Sequence, residues 1–155
     1  MERDIRTACE SKTREFEQVC RKHGLALTIQ RRAILESLAS RIDHPTADQV
    51  YEDVVDKIQG VSRTTVYRVL ETFVSIGLAK KINNPESKAR FDADTTRHHH
   101  LTCTNCGIVL DLFDSALNNL QLPVGIDKEF EVTDYSITFT GKCSACSGRS
   151  SKSEE

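Results

Sequence analysis

Long apolar runs are missing from this 155-residue chain. Without about 18 consecutive apolar residues, no segment is expected to cross a membrane as a helix. The opening stretch, residues 1–11, lacks the apolar core of a secretory leader. Together these absences predict a cytoplasmic protein with no membrane partner. In that compartment the six cysteines are expected as metal ligands or free thiols, not disulfides. No internal repeat is visible, which excludes a repeat array. A strong net charge is missing too. The formal charge is −2, which taken alone argues against nucleic acid as a partner. Its distribution reverses that argument. Residues 1–90 hold 16 basic and 13 acidic side chains, a net of +3, whereas residues 91–155 hold 5 and 10, a net of −5. A basic half can face an anion while an acidic half binds metal.

What is present reads as an α+β chain with two small domains and a tail. Residues 2–23 form an amphipathic helix pattern with Ile5, Cys9, Phe16, Val19 and Cys20 as its apolar positions, stopped by Gly24. Thr28 caps a helix over 29–40 whose inner face is Ile34, Leu35 and Leu38. The His44-Pro45 step breaks the chain. Thr46 and Gln49 then make a capping box for a third helix, with Val50, Val54, Val55 and Ile58 inward. After the turn at Gly60, Ser62 caps a fourth helix that Gly77 ends, with Val66, Val69, Leu70, Phe73 and Val74 as its stripe. Residues 78–82 and 89–92, around Asn83-Asn84-Pro85, read as a two-stranded hairpin. Helices followed by a short hairpin predict a winged helix-turn-helix domain over 1–91. Residues 92–146 read as a second, α/β domain: strands over 98–102 and 107–112, a short helix near 114–121, and strands near 128–133 and 135–141. Residues 147–155, rich in Ser and charge, read as a disordered tail.

The fourth helix carries Arg63, Thr64, Tyr67, Arg68 and Glu71 opposite its apolar stripe, with Thr65 at the border. Cationic, hydroxyl and phenolic groups at a helix N-terminus suit phosphate and base-edge contacts. In helix-turn-helix proteins this part of the second helix of the motif enters the major groove. Arg31 and Arg32, at the start of the second helix, suit phosphate. Solvated surface charge explains such a face equally well in isolation. The turn spacing, the hairpin and the charge split favour duplex DNA.

Two CxxC turns, Cys103/Cys106 and Cys143/Cys146, supply four thiolates, which zinc takes as a tetrahedron. The 36 residues between the pairs exceed the roughly 15–20 of a compact zinc ribbon. Zinc is therefore expected to pin the end of a late strand to an early hairpin. A closed four-thiolate site leaves no position for substrate, so its role is structural. Cys9 and Cys20 have no partner spacing and read as helix-packing residues.

A second ligand set lies beside the first. On a strand His98 and His100 share a face and His99 points away. Setting Cys103 opposite Cys106 places residue 98 opposite Asp111 and brings that carboxylate onto the same face. Asp92 and the loop residue His44 can reach the same point. Three imidazoles and two carboxylates suit Fe2+ or Mn2+ and also accept Zn2+.

These residues resemble a known family. The run from His98 to Gly107 resembles the HHxHxxCxxCG signature of ferric uptake regulators. Residues 62–70 are similar to that family's recognition helix, and His44-Pro45-Thr46-Ala47-Asp48 to its HxxAxx loop. The resemblance spans about residues 16–146. It implies a homodimeric, metal-dependent transcription repressor, not an enzyme, with a winged-helix domain and an α/β dimerisation domain. Peroxide-stress repressors of the family use three His and two Asp for a regulatory metal. The matching residues are His44, Asp92, His98, His100 and Asp111. Iron-uptake regulators usually have Glu in place of Asp92 and Asp111. They also often have a later His, and none follows His100 here. The resemblance thus implies structural Zn2+, regulatory Fe2+ or Mn2+, and palindromic operator DNA released when peroxide oxidises His44 or His98. An iron- or zinc-responsive regulator of the same family is the nearest rival. A metalloenzyme on the His/Asp set lacks an evident general base and leaves the recognition helix unexplained. A zinc module for protein contacts leaves His44 and Asp92 unexplained.

Overall fold

The computed structural model describes residues 5–83, 88–123, 125–126 and 129–148. The hairpin turn at Asn84-Pro85, the side chains of Ile5 and Cys9 and the tail beyond residue 148 lie outside the described residues. The chain divides into two compact units, Met1–Thr95 and Thr96–Glu155. Asp92 falls in the first of them.

The first unit is helical with a small hairpin. Its helices are α1 (Ile5–Lys22), α2 (Ile29–Ser40), α3 (Ala47–Val54) and α4 (Arg63–Ser75), and its hairpin is β1 (Lys80–Ile82) with β2 (Arg90–Asp92). Each cap satisfies backbone N–H groups that the helix itself cannot. Thr28 Oγ1 accepts from Arg31 N. Thr46 and Gln49 cap each other reciprocally, at 3.3 and 2.9 Å. Ser62 Oγ accepts from Thr65 N. At the end of α4, Gly77 takes a φ of 76°, which a Cβ would disfavour.

The apolar stripes meet in one core. Phe16 and Cys20 of α1 and Ile34, Leu35 and Leu38 of α2 are buried there, as are Val50 and Val54 of α3 and Val66, Leu70 and Phe73 of α4. Val55, Val69 and Val74 are only partly buried at its margin. Phe16 and Phe73 pack edge to face, ring centroids 5.9 Å apart, an arrangement the ring quadrupoles favour. Replacing Phe73 with Ala removes a fully buried ring from that pair. We expect a loss of about 3–5 kcal/mol in denaturant unfolding of this unit. A loss below about 1 kcal/mol would contradict this packing.

The second unit is a three-stranded sheet of order β4-β3-β5 with two short helices. Its elements are β3 (His99–Cys103), β4 (Val109–Leu112), α5 (Ser115–Asn118), β5 (Thr138–Gly141) and α6 (Ser144–Ser147). Two expectations need correction. Residues 129–133 are not a strand, and β5 pairs parallel to β3, in the register Cys103↔Gly141. The stretch from 113 to 137 is thus a crossover, as a parallel pair requires. Second, His100, not His98, stands opposite Asp111. The turn is two residues longer on the Ile108 side, since Cys103 N donates to Ile108 O (3.0 Å) and Gly107 takes a φ of 71°. The register therefore shifts by two. Side chains alternate with period two, so the shift leaves Asp111 on the face of His98 and His100.

Candidate functional site

The four cysteines come together at one end of the sheet. Thr104 N and Oγ1 both donate to Gly141 O, at 2.8 and 3.2 Å, and tie the end of β5 to the first CxxC turn. Cys143 then heads α6 and presents its sulfur to that turn. All four Sγ atoms lie within 4.8 Å of one another, and Cys106 and Cys143 are 3.8 Å apart. A tetrahedron with Zn–S bonds of about 2.3 Å has sulfur–sulfur edges of about 3.8 Å. The donor set fits zinc. Cys143 N donates to Cys103 Sγ at 3.3 Å, and with the N–H groups of Cys106 and Asn105 it draws the Cys103 thiol down to about 6. Asn105 Nδ2 donates to Cys146 Sγ at 3.2 Å and lowers that thiol. The sulfurs of Cys143, Cys106 and Cys103, with desolvation, outweigh it and push Cys146 up to about 11. The Cys103 thiolate forms readily while neighbouring sulfurs resist a second one at Cys146, as expected where a cation is to supply the compensating charge. Asn105, which spacing did not single out, is a further polar contact of this site.

Nitrogen and oxygen donors gather in each unit. In the first, His44 is buried and is the non-glycine residue with positive φ (51°) among the described residues. Such a conformation costs about 1–3 kcal/mol and persists only where its surroundings impose it. Here strand β2 imposes it. Phe91 N donates to Pro45 O at 2.9 Å, Thr46 bridges Arg90, and Arg90 Nη1 donates to the carbonyls of Asp43 (3.4 Å) and His44 (3.0 Å). The loop is held from its other side by Arg41, which binds both oxygens of Asp43 (2.9 and 2.7 Å) and both of Asp53. That guanidinium keeps the Asp43 carboxyl below its ordinary range. In result His44 Nε2 lies 3.5 Å from Asp92 Oδ2, and both residues are buried.

In the second unit, His98 Nε2 is 3.1 Å and His100 Nε2 3.8 Å from Asp111 Oδ1. The two rings are edge to face with centroids 4.7 Å apart. His98 Nδ1 lies 2.9 Å from Thr96 O. A carbonyl only accepts, so Nδ1 carries the proton, and Nε2 is the nitrogen that faces Asp111. His99 turns to the other face, fully buried. Its Nδ1 accepts from Ile137 N (3.2 Å) and its ring lies parallel to Tyr135. It braces the approach to β5 and takes no part in the cluster. Both clusters bring together imidazole and carboxylate donors of the kind that Fe2+, Mn2+ and Zn2+ accept, with Asp111 half-buried and the other four buried.

On α4, Arg63, Thr64, Tyr67 and Arg68 are exposed. Thr65 is half-buried, and its hydroxyl lies 2.9 Å from Ser62 Oγ within the cap. Arg63 stacks over the Tyr51 ring at 4.3 Å and its Nε lies 3.4 Å from Asp48. Lys88, from the hairpin, pairs with the same carboxylate. A groove of about 470 Å³ opens between α3, α4 and the hairpin, lined by Asp48, Arg63, Thr64, Tyr67, Lys88 and Phe91 among others. Arg31 Nη1 donates to Ala26 O at 2.6 Å, and its exposed neighbour Arg32 pairs with Glu17.

A winged-helix unit followed by a unit with clustered metal donors defines a metal-binding transcription regulator. The chain belongs to the ferric uptake regulator family, whose model matches residues 22–140. Members are regulators of transcription, and this chain is a metal-binding repressor of that family and not an enzyme. The peroxide-responsive repressor PerR of Staphylococcus epidermidis is 34% identical over 126 residues, 81% of this chain and 84% of that protein. The ferric uptake regulator of Vibrio cholerae is 30% identical, with a TM-score of 0.67 over 81% of this chain and 98% of that one. The Helicobacter pylori ferric uptake regulator, at 21% identity, shares the fold with a TM-score of 0.74 over 94% and 96% of the two chains.

Proposed function

We propose that this chain is a peroxide-responsive repressor that binds a palindromic operator as a homodimer when Fe2+ or Mn2+ joins its two His/Asp clusters. The observation that carries the reading is the donor set itself: three histidines and two aspartates, with His44 and Asp92 in the winged-helix unit and His98, His100 and Asp111 in the other. A single ion held by all five fixes the angle between the units. In a dimer that angle sets the spacing of the two recognition helices against the half-sites. Arg31, Arg63, Thr64, Thr65, Tyr67 and Arg68 are the proposed DNA contacts, and Cys103, Cys106, Cys143 and Cys146 the proposed ligands of structural Zn2+. Leu110, Leu101 and Phe139 stand in register across three adjacent strands and are 42, 38 and 48% exposed, which supports an apolar dimer contact on that sheet face.

Fe2+ held by these residues would supply the redox catalysis that activates hydrogen peroxide, with no net consumption of the iron's electrons. An imidazole carbon of His44 or His98 would give up two electrons and gain one peroxide oxygen, the other oxygen leaving as water, and the oxidised ring would be lost as a ligand. Mn2+ supports repression without efficient sensing. Mild peroxide applied to Fe2+-loaded protein is expected to add one oxygen atom to a peptide containing His44 or His98 and to release operator DNA. Protein loaded with Mn2+ stays unmodified and bound. Mass spectra without that oxygen sink the sensing claim. Likeness to ferric uptake regulators at 30% identity favours a second reading, an iron- or zinc-responsive regulator. For that reading, operator binding follows the metal supplied and ignores peroxide.

A further inference from the structure

We infer that Arg90 is a positioning residue for the regulatory metal. It acts through the backbone of His44 and touches neither the ion nor DNA. The inference rests on the reading of His44 as a metal ligand. His44 sits in a loop with a left-handed φ of 51°, a conformation uncommon outside glycine. That conformation aims the imidazole at Asp92, with Nε2 3.5 Å from Oδ2. Arg90 occupies β2 two residues before Asp92. Its Nη1 donates to both carbonyls that flank the strained residue, Asp43 O at 3.4 Å and His44 O at 3.0 Å. Only a long side chain with several diverging N–H groups reaches two successive carbonyls from a neighbouring strand. The same strand thus supplies one ligand and holds the other in place.

The geometry gives Arg90 a role that backbone pairing does not cover. Phe91 N to Pro45 O and the Thr46 bridge tether the loop downstream of His44. Arg41 tethers the Asp43 side chain upstream. Neither bond involves the His44 carbonyl, whose orientation fixes the ψ of the ligand residue. Groups that orient a metal's ligands typically alter its affinity by about 10–100-fold when removed.

The test is a double-mutant cycle on zinc-loaded full-length protein, read by calorimetric titration with Mn2+. Arg90→Gln is expected to weaken Mn2+ binding about tenfold while bound zinc and the unfolding midpoint stay near their starting values. Arg90→Lys, which keeps a donor, is expected to restore part of the loss. In a His44→Ala background, Arg90→Gln should cost nothing further. An unchanged Mn2+ affinity in Arg90→Gln overturns the inference. So does an equal loss with and without His44, which marks a general structural effect. If His44→Ala alone leaves Mn2+ affinity unchanged, the metal reading of His44 fails, and the two failures are told apart by that single variant.

Discussion

Removing zinc is expected to unfold the second unit while the first stays folded. Apolar burial in the two units is very unequal. Among the described residues the first unit buries Phe16, Ile34, Leu35, Leu38, Phe73, Phe91 and further apolar side chains, whereas the second buries only Cys103 and Val109. A sheet with so thin an apolar core needs another source of stability. Structural zinc in small domains contributes about 10–16 kcal/mol of apparent binding free energy, more than the typical stability of a small domain. On the proposed zinc assignment the parallel pairing of β5 to β3 is tied to the metal directly, because Thr104 and Cys103 contact the segment that leads into Cys143 and Cys146. Cys106→Ser or exhaustive chelation should therefore abolish amide protection in β3, β4 and β5 and leave α2 and α4 protected. Hydrogen exchange followed by mass spectrometry separates the units in one experiment. Full protection of the three strands in zinc-free protein would falsify the structural assignment of the cysteines.

His100→Ala is expected to retain zinc and fold but to lose Mn2+-dependent operator binding. The ring removed shares Asp111 Oδ1 with His98 and packs edge to face on it, so its loss leaves a gap in a buried donor cluster. Shifting a two-state regulator from 1:99 to 99:1 takes about 5.5 kcal/mol of differential affinity, and a site short of one ligand supplies less. Operator affinity in Mn2+ should fall about a thousandfold, toward the level of non-specific duplex. Residual binding should be steeply salt-dependent and blind to sequence, since Arg63 and Arg68 remain exposed. Fluorescence anisotropy with operator and scrambled duplexes at fixed salt reads both quantities. Undiminished metal-dependent discrimination in His100→Ala would remove this residue from the regulatory site.

The local physics of single elements was largely legible beforehand. Thr28, Thr46 and Ser62 cap helices because a hydroxyl one step before an apolar stripe satisfies orphan N–H groups, whatever the rest of the chain does. The same holds for the stripes themselves, since Ile34, Leu35 and Leu38, or Val66, Leu70 and Phe73, can only point inward together. Gathering of the four thiols was legible because CxxC spacing is a local turn. Non-local contacts were not legible. The parallel partner of β3 lies across a crossover, and residues 129–133, whose polar–apolar alternation reads as a strand, are irregular. The hairpin register was missed by two because turn length depends on Gly107 adopting positive φ, which composition permits but does not require.

Arg90 shows the limit most clearly. In the sequence it is one basic residue among several at the end of a hairpin. Its proximity to the carbonyls of Asp43 and His44 comes from a strand packing beside a loop 46 residues earlier. By itself, then, the sequence determined the donor types, the capped starts of α2, α3 and α4 and the faces on which His98, His100 and Asp111 stand, because each follows from a period of 2 or 3.6 residues or from a cap. The tertiary structure alone decided which strands are neighbours, which carboxylate opposes which imidazole, and what holds His44 in its left-handed conformation. Those depend on distances between segments remote in the chain, which no local periodicity encodes.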